Sequence, residues 1–216
     1  MTIKQYGIIG KPLSHSLSPL LHNVWFKKNK IKANYTLIEI EKNQIKDVIN
    51  KIREKKLHGI NVTVPYKQKV IPYLDLIIND AEKTSSINTI YLSEEDKIVG
   101  ENTDVYGFEQ SFINKLNNES LVEKNFLILG AGGVTSSLIY ALEKKKIKKI
   151  FISNRTLQKA KNIKKIFPFI EIILWEKIFE ATKEMDIIIN ATSLGMKNNP
   201  DFIKLIDKFK ASLIYY

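Results

Sequence analysis

The hydrophobic positions of this chain switch repeatedly between a period of two and a period near 3.6, the alternation of strands and helices. Residues 3–9, 33–40 and 59–64 read as strands. The third has two distinct faces, with Ile60, Val62 and Val64 set against Asn61 and Thr63, and Pro65 closes it because proline cannot donate to a sheet ladder. Between the first two strands, Ser18-Pro19 marks a helix start, with serine as N-cap and proline at the first helical position. Leu20, Leu21, Val24 and Trp25 continue that helix as an apolar stripe, and Ile45, Val48, Ile49 and Ile52 line an amphipathic helix before the third strand. Strand-helix-strand-helix-strand at this spacing predicts parallel pairing through right-handed crossovers.

Past Lys67 a helical piece carries Val70 to Leu74, residues 81–92 are less regular, and a polar turn at 94–97 joins short strands at 90–92 and 98–100. Asp104 is placed to open a helix that runs to about Leu116. The polar run 117–120 breaks the pattern and separates two domains. Buried strands follow at 124–129, 147–152 and 185–189, with helices after the first two and near 175–181, and an apolar segment at 170–174. Residues 211–216 read as one more buried parallel strand at the very end, which suggests a chain that is short at its C-terminus. The expected fold class is α/β, with an N-terminal domain of mainly parallel sheet and a C-terminal Rossmann-like domain. The division expected is 1–103 and 104–216, with the helix from Asp104 up to the break at 117–120 counted with the second domain.

Composition narrows the function. A hydrophobic fraction of 44% and a charged fraction of 26% are ordinary for a globular protein. The absence of cysteine excludes disulfides, zinc-thiolate sites and thiol nucleophiles, and no metal site is expected. No apolar run approaches the ~20 residues of a membrane span, and the N-terminus lacks a signal-peptide layout, so a cytoplasmic protein is expected. The net charge of +11 is mostly lysine scattered along helices, as in Lys144-Lys145-Lys146. Without interleaved aromatic residues it reads as solvated surface rather than a nucleic-acid face.

Two stretches carry chemistry. The Asn61–Lys67 segment presents an amide, a hydroxyl and an ammonium at the carboxyl end of a strand, where open α/β sheets place ligands, and the set suits a small polyhydroxy acid. Ser16 and Ser18 flank one residue in an extended loop ahead of a helix N-terminus, an arrangement that favours an anion. Gly130-Ala131-Gly132-Gly133-Val134 turns a buried strand into a helix. Gly130 permits the tight turn and Gly132 a close approach to a pyrophosphate. Thr135 stands where glycine or alanine is usual, which predicts slightly looser helix-strand packing. At the end of the next strand, where NAD-binding enzymes place a carboxylate, stand Asn154, Arg155 and Thr156, with Lys159 one turn on. A carboxylate repels a 2′-phosphate and a guanidinium binds it, so the cofactor expected is NADP(H).

Ser16-Leu17-Ser18-Pro19, Asn61 to Lys67, Asn88-Thr89, Asn102-Thr103-Asp104, Gly130 to Gly133, Asn154-Arg155-Thr156 and Asn190-Ala191-Thr192-Ser193-Leu194-Gly195-Met196 occur in an order and spacing that resembles the shikimate dehydrogenase family along essentially the whole chain. The resemblance implies an N-terminal substrate domain, a C-terminal NADP domain and a cleft between them. It implies that Ser16 and Ser18 hold a substrate carboxylate, that Thr63, Asn88 and Asp104 bind ring hydroxyls, and that Lys67 and Asp104 form the catalytic pair; Asn61 and Lys67 are also counted among the substrate-binding residues. Thr192 joins the cofactor residues, and the implied reaction is the reversible NADPH-dependent reduction of 3-dehydroshikimate to shikimate. The chain is expected to act as a monomer or homodimer on this small molecule, without nucleic acid or membrane. A quinate/shikimate dehydrogenase and a non-catalytic ligand-binding homologue are the alternatives. Two departures stand out. Thr84-Ser85-Ser86-Ile87 replaces the family's glycine-containing approach to Asn88, which predicts a displaced loop. The family also continues beyond Tyr216 with a substrate-contacting tyrosine, a nicotinamide-side glycine region and a late glutamine; Tyr215 and Tyr216 fall just before the position expected for that tyrosine, and neither is assigned its role.

Overall fold

The computed structural model describes residues 2–116, 121–147, 149–195, 209 and 213–215. The chain divides into two compact units, Met1–Thr103 and Asp104–Tyr216.

In the first unit β1 (Lys4–Gly10) leads through α1 (Ser18–Lys28) to β2 (Ala33–Glu39), and α2 (Ile45–Arg53) leads on to β3 (Gly59–Val62). The three strands are parallel with β1 in the middle, so that Ile8 lies between Leu37 and Asn61. Next come β4 (Leu76–Ile77), α3 (Asp80–Thr84), β5 (Thr89–Leu92) and β6 (Ile98–Glu101), which complete a sheet of order β2-β1-β3-β5-β6-β4. β5 runs antiparallel to both neighbours; the short polar turn after it returns the chain in the opposite sense as β6. Ile45, Val48, Ile49 and Ile52 of α2 are all buried and meet Ile9, Ile60, Val62, Ile90 and Ile98 in one core. Each such side chain contributes roughly 1.5–3 kcal/mol on leaving water.

Four local features differ from the pattern-based expectation. Leu17, not Ser18, stands at the cap of α1, without a side-chain cap; Ser18 is the first helical residue. The apolar stripe of α1 is not buried either: Leu17, Leu20, Leu21, Val24 and Trp25 are 47–73% exposed. What fastens α1 to β2 is polar and aromatic, since the Asn23 carboxamide donates to the Tyr35 carbonyl and accepts from the Tyr35 N–H, each at 2.9 Å, and the His22 ring stacks on Tyr35. Strand β3 stops at Val62 because the Thr63 carbonyl already accepts from Tyr66 N–H in a turn. β4 and α3 are two and five residues long, too short to reveal a period in the sequence.

The second unit runs α4 (Asp104–Ser111), β7 (Phe126–Leu129), α5 (Thr135–Lys144), β8 (Ile150–Ser153), α6 (Leu157–Ile166), β9 (Glu171–Ile172), α7 (Ile178–Ala181), β10 (Ile187–Asn190) and β11 (Leu213–Tyr215). Its sheet is parallel throughout, in the order β11-β10-β7-β8-β9. All four residues of β7 are buried, as a strand covered on both faces requires. The terminal segment read as a strand does pair with β10, at the edge of the sheet. The polar run 117–120 lies outside the described residues.

Candidate active site

In the first unit the carboxyl ends of β1, β2 and β3 face the same way, and the antiparallel β5 begins where β3 ends, Asn61 pairing with Thr89. One sheet edge therefore collects Asn61, Thr63, Asn88 and the turn that carries Lys67. Asn61 Nδ2 donates to the Asn88 carbonyl at 3.1 Å and to Thr89 Oγ1 at 3.3 Å. Asn88, only 9% exposed, has its own carboxamide set by the next loop: Thr103 N–H donates to Oδ1 and Nδ2 donates to Thr103 Oγ1, both at 2.9 Å.

The Lys67 turn is held from two sides. The buried Tyr66 hydroxyl donates to the Ile40 carbonyl at 2.6 Å, and the Lys67 carbonyl accepts from Ile87 N–H at 2.8 Å. The half-buried Lys67 side chain thus leaves a backbone that is tied to β2's end and to the strand that brings Asn88. The loop that carries the two serines joins the same edge, with Lys11 N–H donating to the Val64 carbonyl at 3.0 Å and Leu13 N–H to Glu39 Oε2 at 2.7 Å. Ser16 Oγ accepts from Ser18 N–H at 3.4 Å, which sets the two half-buried serines side by side at the start of α1.

The loop at 84–87 is anchored within its unit. Ser85 adopts the left-handed conformation, φ 49°, at the end of α3, supplying the turn that a glycine would otherwise provide. Buried Asn102 then clamps it, its Nδ2 donating to Thr84 Oγ1 at 3.2 Å and to the Ser86 carbonyl at 2.6 Å.

In the second unit the glycine turn lies where β7, β8 and β10 all end, at the point where the strand order reverses direction from β7. Gly130 has φ +109°, and a Cβ on it would lie 2.7 Å from the Ala191 carbonyl oxygen. Thr135 is fully buried. Its hydroxyl donates to the Gly130 carbonyl and accepts from Gly132 N–H, each at 3.1 Å, so the side chain tightens the turn rather than loosening it. Asn154 braces the same turn, accepting from Ala131 N–H at 3.1 Å and donating to the Thr156 carbonyl at 2.9 Å. Arg155 and Lys159 are exposed at this strand end, and Lys159 N–H closes the first turn of α6 on Thr156. Gly133 and Val134 complete the approach to α5.

Thr192 sits in a turn that Asn190 organises. Thr192 N–H and Oγ1 both reach Asn190 Oδ1, at 3.0 and 2.6 Å, and Asn190 Nδ2 donates to the Leu194 carbonyl at 2.9 Å. Asn190, Asn102 and Tyr66 had no assigned role in the sequence, since their partners lie on other segments or in a turn that periodicity does not register. Asp104 is the first residue of α4, in the second unit. Met196, the last residue of its motif, lies outside the described residues. Among the described residues no helix is long and apolar enough to cross a membrane, and no group of His, Asp and Glu is placed to hold a metal ion.

Residues 8–90 match the family model described as the shikimate dehydrogenase substrate binding domain, and residues 113–197 match that of shikimate / quinate 5-dehydrogenase. A protein of Pelagibacter ubique named shikimate dehydrogenase (NADP(+)) is 47% identical over 217 residues, which cover 98% of this chain and 79% of that protein. The crystal structure of shikimate dehydrogenase from Aquifex aeolicus superimposes with a TM-score of 0.84 at 33% identity, covering 98% of this chain and 86% of the other. The Listeria monocytogenes shikimate 5-dehydrogenase, solved in complex with shikimate and NAD, gives a TM-score of 0.76 at 28% identity, over 90% and 70% of the two chains.

Proposed function

The chain belongs to the shikimate dehydrogenase family, and we propose that it catalyses the reversible NADP-dependent interconversion of shikimate and 3-dehydroshikimate, in the cytoplasm, as a monomer or homodimer. The observation that carries this reading is the meeting of Asn61, Thr63, Lys67 and Asn88 at one edge of the first unit's sheet, braced by hydrogen bonds that run from β2 to the loop after β6. Ser16 and Ser18 take the carboxylate, helped by the positive end of α1. Thr63, Asn61 and Asn88 take the ring hydroxyls.

Lys67 and Asp104 are the proposed proton-handling pair. Reduction of a ketone builds negative charge on its oxygen; the Lys67 ammonium stabilises that charge and hands over a proton, and in the oxidative direction the amine takes the proton back. Asp104 is the proposed carboxylate of the pair. The cofactor's nicotinamide, when bound, supplies or accepts the hydride.

The second unit fits NADP. Gly130 lies against Ala191 where no side chain has room, the turn stands at the N-terminus of α5, and β8 is followed by Asn154, Arg155 and, in the first turn of α6, Lys159, without a carboxylate. Asn154, whose carboxamide is bonded at both ends, braces the Arg155 loop against Ala131. Ala131, Gly132, Gly133, Val134, Thr156 and Thr192 complete the proposed cofactor set.

The test is a spectrophotometric assay with shikimate or quinate and NADP or NAD. Rapid appearance of reduced nicotinamide with shikimate and NADP is expected. Turnover of quinate alone, or binding of shikimate without turnover, would replace this reading with one of the two alternatives.

A further inference from the structure

The phenol of Tyr35 reaches across an entire strand. Tyr35 stands in β2 and Asn61 in β3, with β1 between them, Tyr35 in register with Tyr6 and Asn61 with Ile8. Two strand spacings, about 9.6 Å, separate the outer strands. The Tyr35 ring closes that gap, packing with Ile8 and Leu13 in a small core, and its hydroxyl donates to Asn61 Oδ1 at 2.6 Å.

Chemistry sets the direction of that bond. The Asn88 carbonyl can only accept, so Asn61 must turn Nδ2 towards it and Oδ1 towards the phenol, which must then donate. Burial pushes the Tyr35 pKa up and so keeps the proton in place. Tyr35 is itself gripped from α1, by Asn23 on both its backbone groups and by the His22 ring stacked at 4.2 Å and 2°. Burial holds His22 below its usual pKa, which favours the uncharged ring in that stack.

We propose that Tyr35 is a positioning residue for substrate binding: its hydroxyl fixes the Asn61 carboxamide and ties it to α1, so that the Ser16–Ser18 end and the Asn61–Asn88 end of the site keep one spacing. The inference rests on reading those four residues as substrate ligands. A rigid ring with a carboxylate at one end and hydroxyls at the other gains from such spacing, because its groups cannot adjust to a displaced partner. A phenylalanine would fill the same space in the core; only the bond to Asn61 separates positioning from packing.

Tyr35→Phe is therefore the informative variant. The KM for shikimate rises about five- to tenfold, the effect of one lost hydrogen bond, while kcat and the KM for NADP each move less than about twofold. In an Asn61→Ala background the same change adds nothing, because its effect passes through Asn61. In the ligand-free protein, the side-chain amide signals of Asn61 shift in the ¹⁵N–¹H spectrum of Tyr35→Phe. An unchanged KM, a rise that persists without the Asn61 amide, or unmoved Asn61 signals overturns the proposal. The amide signals need no turnover. If the parent protein fails to oxidise shikimate, the functional reading falls, and the Asn61 signals still decide whether Tyr35 sets that side chain.

Discussion

Lys67 owes its placement to two neighbours rather than to its own side chain. Tyr66 bonds to the Ile40 carbonyl and Ile87 N–H bonds to the Lys67 carbonyl, so the turn is built before any ligand arrives. Lys67→Ala should then leave the fold intact and lower kcat by about 10²–10⁴ with a much smaller change in shikimate affinity; steady-state kinetics that showed near-normal kcat and a large rise in KM would remove it from the chemistry. Arg155 belongs to the cofactor side. Arg155→Ala should raise the KM for NADP by about ten- to a hundredfold, the range of a lost charge-assisted bond, and leave the KM for NAD within about threefold, since NAD lacks the phosphate; equal losses for both cofactors would deny it that role. Lys67 and Arg155 were legible in the sequence because each follows a strand whose end is marked, by Pro65 and by the polar run from Ser153. Asn102, Asn190 and Tyr66 were not, because what makes them matter is a partner that the fold or a tight turn supplies.

The glycine turn shows how far an element can be read from local signals. Its strand, turn and helix were visible as a pattern, and so was the need for Gly130. The sequence did not show what stands opposite. Ala191, at the end of β10, occupies the space a side chain on residue 130 would need, and that meeting exists only because β10 lies beside β7 in the sheet. Gly130→Ala combines the positive φ with that clash, and should cost roughly 2 kcal/mol or more of stability and weaken NADP binding, measured by chemical denaturation and by nucleotide titration; a variant with unchanged stability would contradict the geometry. Thr135 gives the opposite lesson. Its size argued for loose packing, yet its hydroxyl serves the two backbone groups that the turn leaves open. At α1, periodicity identified the helix correctly and gave no sign that its apolar stripe stays exposed, because a period reports the presence of a face and not what covers it.

In each unit taken by itself, a carboxylate is held in its charged form by its surroundings. Asp75 is held below the usual carboxylate range by Arg53 and by Ile98 N–H, and Asp186 by Asn125 N–H and Lys124. Each joins distant parts of its unit, α2 to the β5–β6 hairpin in one and the start of β7 to that of β10 in the other. A depressed folded-state pKa contributes stability that is fully present above the unfolded value of about 3.9 and is lost as pH falls through the folded value. Both units should therefore weaken on acidification below about pH 4, and Asp75→Asn or Asp186→Asn should flatten that slope in denaturant melts taken from pH 5 to 2; an unaltered slope would mean the carboxylates are not clamps. The net charge of +11 bears on solubility and says little about the fold.

The amino-acid order was enough to establish the alternation of strand and helix, the parallel sense of the first three strands, the glycine turn and the ends of the strands that carry polar groups. These are local properties: a period of two or 3.6, a proline that cannot donate, a glycine that can turn. Which strands become neighbours was decided by the tertiary structure, and with it the antiparallel β5 that brings Asn88 to Asn61, the Ala191 carbonyl over Gly130, and the Tyr35 phenol spanning β1. Those contacts join residues far apart in the chain, and their energy is realised only once the sheet has assembled and removed the groups from water.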